Sequence, residues 1–230
     1  TLKNLHIYPL SQLATINGIS DTLRLPIRKL SARKYRIDSM NIVVNGPVGF
    51  GIDVFDRLDN APNKNGIFSI EFFVDSNLVY KHKMERFSFS ETRYINSFMD
   101  YHAKKKYSLR PQKSFKDPNN NLSVYEFLEN DGCLDFKNSK VHEAYYLIKD
   151  TKGNTSSLSF SFSSDSSKST VTEKEYARLF RFHEENKFER NNLSLFFKQN
   201  SLYTDLDFRY NNFESSKDFV ADIHCVHSNE

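Results

Sequence analysis

Residues 66–84 read "GIFSIEFFVDSNLVYKHKM", and the spacing of their apolar side chains decides the fold class. Phe68, Ile70, Phe72 and Val74 fall on every second position, with Ile67, Ser69, Glu71 and Phe73 between them, so one face of an extended segment is wholly apolar. Asp75, Ser76 and Asn77 supply a turn. Alternation then resumes with Leu78, Tyr80 and Met84 on one side and Lys81 and Lys83 on the other. The expectation is a β-hairpin with one buried face.

The same pattern returns in "VHEAYYLIKDTKGNTSSLSFSFSS", residues 141–164. Ala144, Tyr146 and Ile148 precede a Gly-Asn turn, and Leu158, Phe160 and Phe162 alternate with serines after it. Shorter strands are expected at "LHIYPL", "NIVV", "SVYEFL", "NLSLFF" and "DLDFRY", each bounded by Asn, Asp, Gly, Pro or Ser. Strands at this spacing imply an all-β fold, an immunoglobulin-like antiparallel β-sandwich. One segment departs from period two: in "SETRYINSFMDY" Ile95, Phe98 and Met99 are spaced for one helical face, with Ser90 placed to cap it. One short helix is expected there. "TEKEYARLF", from Thr172, offers a capping box in Thr172 and Glu175 but is read as strand.

The run "SSDSSKST", 163–170, has no apolar side chain and marks a boundary. Residues 1–164 then form the sandwich, and 165–230 form part of a second β domain that is small for an independent sandwich. The chain starts without Met, and we read it as a piece of a longer protein.

Composition narrows the function. The 230 residues contain 21 Phe and 12 Tyr but no Trp, so aromatic rings fill much of the core. A formal net charge of +3, with short basic runs beside acids, does not suggest nucleic acid. No stretch is long and apolar enough for a membrane span. Cys133 and Cys225 permit one bridge but read more simply as separate thiols.

Several stretches carry candidate chemistry. In "NGPVGFGIDVFDRLD", 45–59, Gly49 and Gly51 resemble a phosphate-cradling loop, yet the third glycine and the following helix of that motif are missing. A bulge or a close backbone approach explains them better. Asp53, Asp56 and Asp59 suggest an irregular calcium loop without the alternate spacing and terminal Glu of the helix-loop-helix site; a long polar hairpin loop is the competing account. His224, Cys225 and His227 offer three possible zinc ligands, although on a strand the two histidines point to opposite faces. No nucleophile elbow is present. Arg93, Tyr94 and Asn96, polar residues on the short helix, either tie it to the sandwich or form a partner surface.

The block from Gly46 to Tyr101 resembles the region that follows the catalytic domain in bacterial lysostaphin and LytM-like peptidoglycan metallopeptidases, the murein endopeptidases. It keeps Gly46, Gly49, Phe50, Gly51, Ile52 and Asp56, then Asn65, Gly66, Ile70, Val74 and Asp75, and then Phe87, Phe89, Glu91, Thr92, Arg93, Tyr94, Ile95, Asn96, Asp100 and Tyr101. "DTKGN", "LSFSF" and "NSLYTDLDFRY" are similar to strands further on in that group. The family holds zinc through a His-x-x-x-Asp pair and a His-x-His pair, and neither spacing occurs here. The resemblance therefore implies a non-catalytic accessory region with no cofactor of its own; zinc belongs to an absent upstream catalytic domain, the first expected partner. Peptidoglycan or an envelope protein is the second. The implied location is the cell envelope, periplasm or exterior. The competing reading is a stand-alone glycan- or protein-binding module of the bacterial envelope.

Overall fold

A computed structural model of the chain describes residues 1–38, 41–57, 64–165, 178–213 and 223–228. Contacts divide the chain into two compact units: Thr1–Lys116 with Asn121–Thr172, and Asp117–Asn120 with Glu173–Glu230. The fold is all-β.

The first unit opens with β1 (Leu2–Pro9), β2 (Thr15–Ile16), β3 (Leu23–Lys29), β4 (Lys34–Ile37), β5 (Val43–Asn45), β6 (Val48–Val54), β7 (Asp56–Arg57) and β8 (Lys64–Asn65). It continues with β9 (Ser69–Val74), β10 (Asn77–Lys83), β11 (Pro111–Lys113), β12 (Tyr125–Leu128), β13 (Val141–Lys149) and β14 (Thr155–Ser164). A 3-10 turn (Phe89–Tyr94) and two short helices, α1 (Ile95–Phe98) and α2 (Tyr101–Tyr107), lie between β10 and β11. Twelve strands share one sheet, in the order β11-β6-β1-β3-β4-β14-β13-β9-β10-β12, with β5 on β14 and β2 on β5.

That sheet curls onto itself. β6 and β9 are remote in the strand order, yet Phe50 and Phe72 stand 5.2 Å apart, and Phe50 meets Phe162 of β14 at 5.3 Å. The apolar faces anticipated from alternation meet in this core: Ile70, Phe72 and Val74 from one hairpin, Tyr146, Leu158, Phe160 and Phe162 from the other. Each such side chain contributes about 1.5–3 kcal/mol on leaving water.

Strand β6 is buried at all seven positions, which explains its glycines. A Cβ on Gly49 would lie 2.4 Å from Cδ1 of Phe115, and one on Gly51 would lie 3.0 Å from the Gln112 carbonyl and the Tyr8 ring. The close backbone approach expected of this stretch is therefore a packing requirement.

Three features differ from the expectation. Two ladders are parallel: β14 pairs with β4 and with β5 in the same direction, since long connections, not hairpins, bring those strands together. The register shifts between Leu78 and Tyr80, so Leu78 faces outward beside Phe73 while Val79 and Tyr80 are buried, and the expected Leu78/Tyr80 face is split by a bulge. The single expected helix is a 3-10 turn followed by two helices, and it starts at Ser88 instead of Ser90.

The second unit contains β15 (Arg178–Phe180), β16 (Asn186–Arg190), β17 (Leu193–Phe197), β18 (Leu206–Phe213) and β19 (Ile223–Ser228). β15, β18 and β19 form one sheet, and β16 and β17 form a hairpin turned at Asn191 and Asn192, both with positive φ. Phe180 and Phe208 stack at 4.5 Å in its small core, and buried Asn186 accepts from the Arg181 amide while donating to the Arg181 and Glu184 carbonyls. In "TEKEYARLF" only Arg178 to Phe180 falls among the described residues, and these are strand.

Candidate functional site: a cleft beside the helical segment

The segment from Ser88 to Tyr107 carries Arg93, Tyr94 and Asn96, three of the polar residues singled out from sequence, and side chains fasten it at its start and again ahead of α2. Ser88 donates to Glu91 (3.0 Å), whose other oxygen accepts the Ser123 amide (2.9 Å). These bonds from Ser123 and Ser88 hold the Glu91 carboxyl below its usual range. Between α1 and α2 Asp100 caps α2 by accepting the Ala103 amide (2.8 Å), and its second oxygen accepts the buried Tyr8 hydroxyl (3.1 Å). Burial, then the Asp100 charge, push that phenol far above its usual range. Met99 bridges Gln112 of β11, and the Asp100 amide donates to the Pro111 carbonyl.

Beneath this segment Phe98 is fully buried with Leu122 and Val124, and His82 sets its edge against the Phe98 ring at 5.1 Å. Between the segment and the sheet lies a cleft of about 710 Å³. Ile67, Phe68, Met84, Phe87, Ile95 and Met99 give it an apolar lining, and Thr92, Arg93 and Asn96 stand exposed on the helical side. Gln112 also lines it; this side chain is more than nine-tenths buried and its Oε1 has no protein donor. The cleft matches a ligand with an apolar body, an acceptor for Arg93 and a donor for Gln112.

Tyr94 belongs to the fastening, not to the lining. Its hydroxyl accepts from Asn121 (3.4 Å) and from Arg93 (2.8 Å), bonds that lower its pKa, and the Arg93 guanidinium lies 4.8 Å from its ring centroid. Within the segment Arg93 is oriented by Tyr94, and Arg93 and Asn96 line the open cleft.

The other candidate sites are not assembled among the described residues. Asp53 is buried on β6 with Asn4 (3.4 Å), Asp56 is half-buried in the short β7–β8 ladder, and Asp59 lies outside the described residues. His224 is hydrogen-bonded to the Tyr210 hydroxyl (2.9 Å), Cys225 is the next residue along β19, and the His227 side chain is outside the described set. No group of three His, Cys, Asp or Glu side chains placed to hold a metal occurs among the described residues. Both cysteines are free thiols. None of the described helices is long and apolar enough to cross a membrane.

One constellation was not visible in the sequence. Asp75 Oδ2 lies 2.7 Å from His142 Nδ1, and His142 Nε2 lies 3.2 Å from Ser164 Oγ, the series seen in nucleophilic hydrolases. Here Ser164 is buried and donates to the Asn138 carbonyl, so its hydroxyl is neither accessible nor directed at the imidazole. The series ties the β9–β10 turn and β13 to the end of β14.

Residues 177–230 match the family model of the Zu5-like domain, which covers strands of the second unit and none of the first. No curated protein and no solved structure matches the chain.

Proposed function

We propose that the chain is a non-catalytic region that positions a zinc-dependent peptidoglycan metalloendopeptidase on the bacterial cell wall, with the cleft beside α1 as its contact surface. The resemblance between Gly46 and Tyr101 supports the family, and with it the upstream catalytic partner and a place in the envelope, periplasm or exterior. The observation that carries the contact role is the arrangement of the helical segment. Glu91, Tyr94 and Asp100 are occupied in fastening it, whereas Thr92, Arg93 and Asn96 are exposed at an apolar cleft. Polar residues held rigidly over an apolar floor are the ordinary construction of a recognition site.

A stand-alone envelope module that binds a protein is favoured by one feature. Phe89, in the 3-10 turn, is 99% exposed, and Phe87 at the cleft is 43% exposed. An apolar pair of this kind suits a protein surface better than a sugar.

The test is retention on purified peptidoglycan sacculi, with denatured protein as control and metal content measured first. Native protein should be retained, and Arg93→Ala with Asn96→Ala should abolish retention while leaving the melting temperature in place. Absence of retention by the folded chain refutes the wall-contact role.

A further inference from the structure

The outward face of the large sheet carries a second surface, built from residues that do not line the cleft and independent of the reading above. Between residues 28 and 36 the sequence places Arg28, Lys29, Arg33, Lys34 and Arg36 with no acid among them, and all five are exposed. Arg28 and Arg36 are direct cross-strand partners on β3 and β4. Like charges so placed destabilise a sheet. Asp38 is shared between them at 3.5 Å from each and neutralises one of the two. The hairpin thus keeps an uncompensated positive charge on an exposed strand pair, which is a cost to the fold and an asset to a site for an anion.

The register extends this charge into a surface. Arg36 pairs with Ser159 of β14, Ser159 with Tyr145 of β13, and Tyr145 with Phe73 of β9; in the neighbouring row Lys34 pairs with Ser157 and Ser157 with Leu147. Burial alternates along β13 and β14, so these residues share the outward face. The short serines lie between taller neighbours on both sides, which makes a trough along β14 about 9–10 Å from strand to strand across. One wall is cationic. The other is Tyr145 and Leu147, with Phe73 stacked on Tyr145 at 4.4 Å and nearly parallel, so that the remaining face of the tyrosine ring borders the trough. At one end of the cationic wall Arg33 donates to Asn154 of the β13–β14 turn (2.9 Å), and on the aromatic wall Glu143 stands opposite Ser161.

We propose that this trough binds an acidic polysaccharide: one extended glycan chain, its hydroxyls on the serines of β14, a sugar ring against Tyr145 and its acid groups on Arg28, Lys34 and Arg36. Charge complementarity selects an anion. The hydroxyl floor and the single aromatic wall select a sugar chain over a nucleic acid, which needs successive stacking rings and phosphate contacts along its whole length. Glu143 repels a polymer charged at every unit and tolerates one charged at alternate units.

The experiment measures binding of the full chain to hyaluronan oligosaccharides, which carry a carboxylate on alternate rings, beside neutral cello-oligosaccharides of equal length and oligo-dT. Hyaluronan should bind in a salt-dependent way and more tightly than either comparison. Arg28→Ala with Arg36→Ala should weaken it about tenfold or more, as the loss of charge-assisted contacts implies. Ser159→Phe leaves every charge in place and fills the trough, so it too should weaken binding about tenfold, with an unchanged far-UV spectrum; Ser161→Tyr serves if that variant folds poorly. Non-specific attraction to a basic surface would survive Ser159→Phe. The proposal is overturned if hyaluronan does not bind, if oligo-dT binds as tightly, or if filling the trough leaves affinity within about twofold. Loss of sacculus retention on Arg93→Ala with hyaluronan binding intact separates this surface from the cleft.

Discussion

Replacing Gly49 by Ala tests the packing on which the fold and the cleft both depend. The added Cβ would lie 2.4, 2.6 and 2.9 Å from three carbons of the Phe115 ring, whereas carbon atoms in contact stand about 3.5–4.0 Å apart. The ring must retreat by about 1 Å, yet it is 95% buried and packed edge-on to Tyr8 at 5.5 Å. Tyr8 in turn holds Asp100, the cap of α2. Overpacking of this kind costs about 1–3 kcal/mol, which in a unit of this size lowers the melting temperature by about 2–12 °C. Calorimetry with far-UV circular dichroism is the assay, since the chain has no Trp. Gly66→Ala is the control because nothing lies within 4 Å of its Cβ position, and it should stay within about 0.5 kcal/mol of the parent. Phe115→Leu should interact with Gly49→Ala, the pair being less destabilised than the sum by about 0.5–3 kcal/mol. If Gly49→Ala melts within about 1 °C of Gly66→Ala, the close contact on β6 is not the reason for the glycine.

Other outcomes follow from the buried polar groups. Burial lowers the pKa of His6 to about 4 and of His82 to about 3, so below pH 6.5 the unfolded chain takes up protons that the folded chain refuses. Stability should therefore be full above pH 6.5 and fall as pH drops through the window down to those folded values, by up to about 1.4 kcal/mol per pH unit for each histidine. Urea midpoints between pH 7 and 5 read this before the carboxylates titrate, and His82→Gln should flatten the slope; an unchanged slope rejects the assignment. Asp100→Ala removes a cap and strands the Tyr8 hydroxyl, a loss of about 2–4 kcal/mol, with faster amide exchange over α2; Tyr8→Phe added to it should recover part of that loss. Ser164→Ala breaks the structural Asp75–His142–Ser164 series and should lower stability by about 1–3 kcal/mol with no esterase activity to lose; hydrolysis of a nitrophenyl ester abolished by the substitution contradicts the structural role.

Among the described residues, the buried rings of the second unit are Phe180, Phe208 and Tyr210. Its asparagine staple at Asn186 resembles the other fastenings in the molecule in that one polar side chain satisfies several backbone groups. Such residues give no periodic signal, and nothing in the sequence distinguished Asn186 from its exposed neighbours.

Period-two alternation at 66–84 and 141–164 determined the two hairpins, because a side chain's face on a strand depends only on its position modulo two. Turn residues determined where those hairpins reverse, as at Asp75 and Ser76 with their positive φ. The alternation also told which serines of β14 face outward, although not what lies beside them. Only the tertiary structure decided that β4 runs parallel to β14, that Phe50 meets Phe72 across the curled sheet, and that a bulge splits Leu78 from Tyr80. The same holds for the site. Arg93 and Asn96 were legible as polar residues on a helical segment, but their cleft is completed by Phe68 and Met84, which flank the β9–β10 hairpin, and by Gln112 of β11. The Arg28, Ser159 and Tyr145 row likewise joins residues more than a hundred positions apart in the chain. Local pattern fixes the face a residue takes; strand partners are chosen by long-range pairing, whose energy no local window of sequence contains.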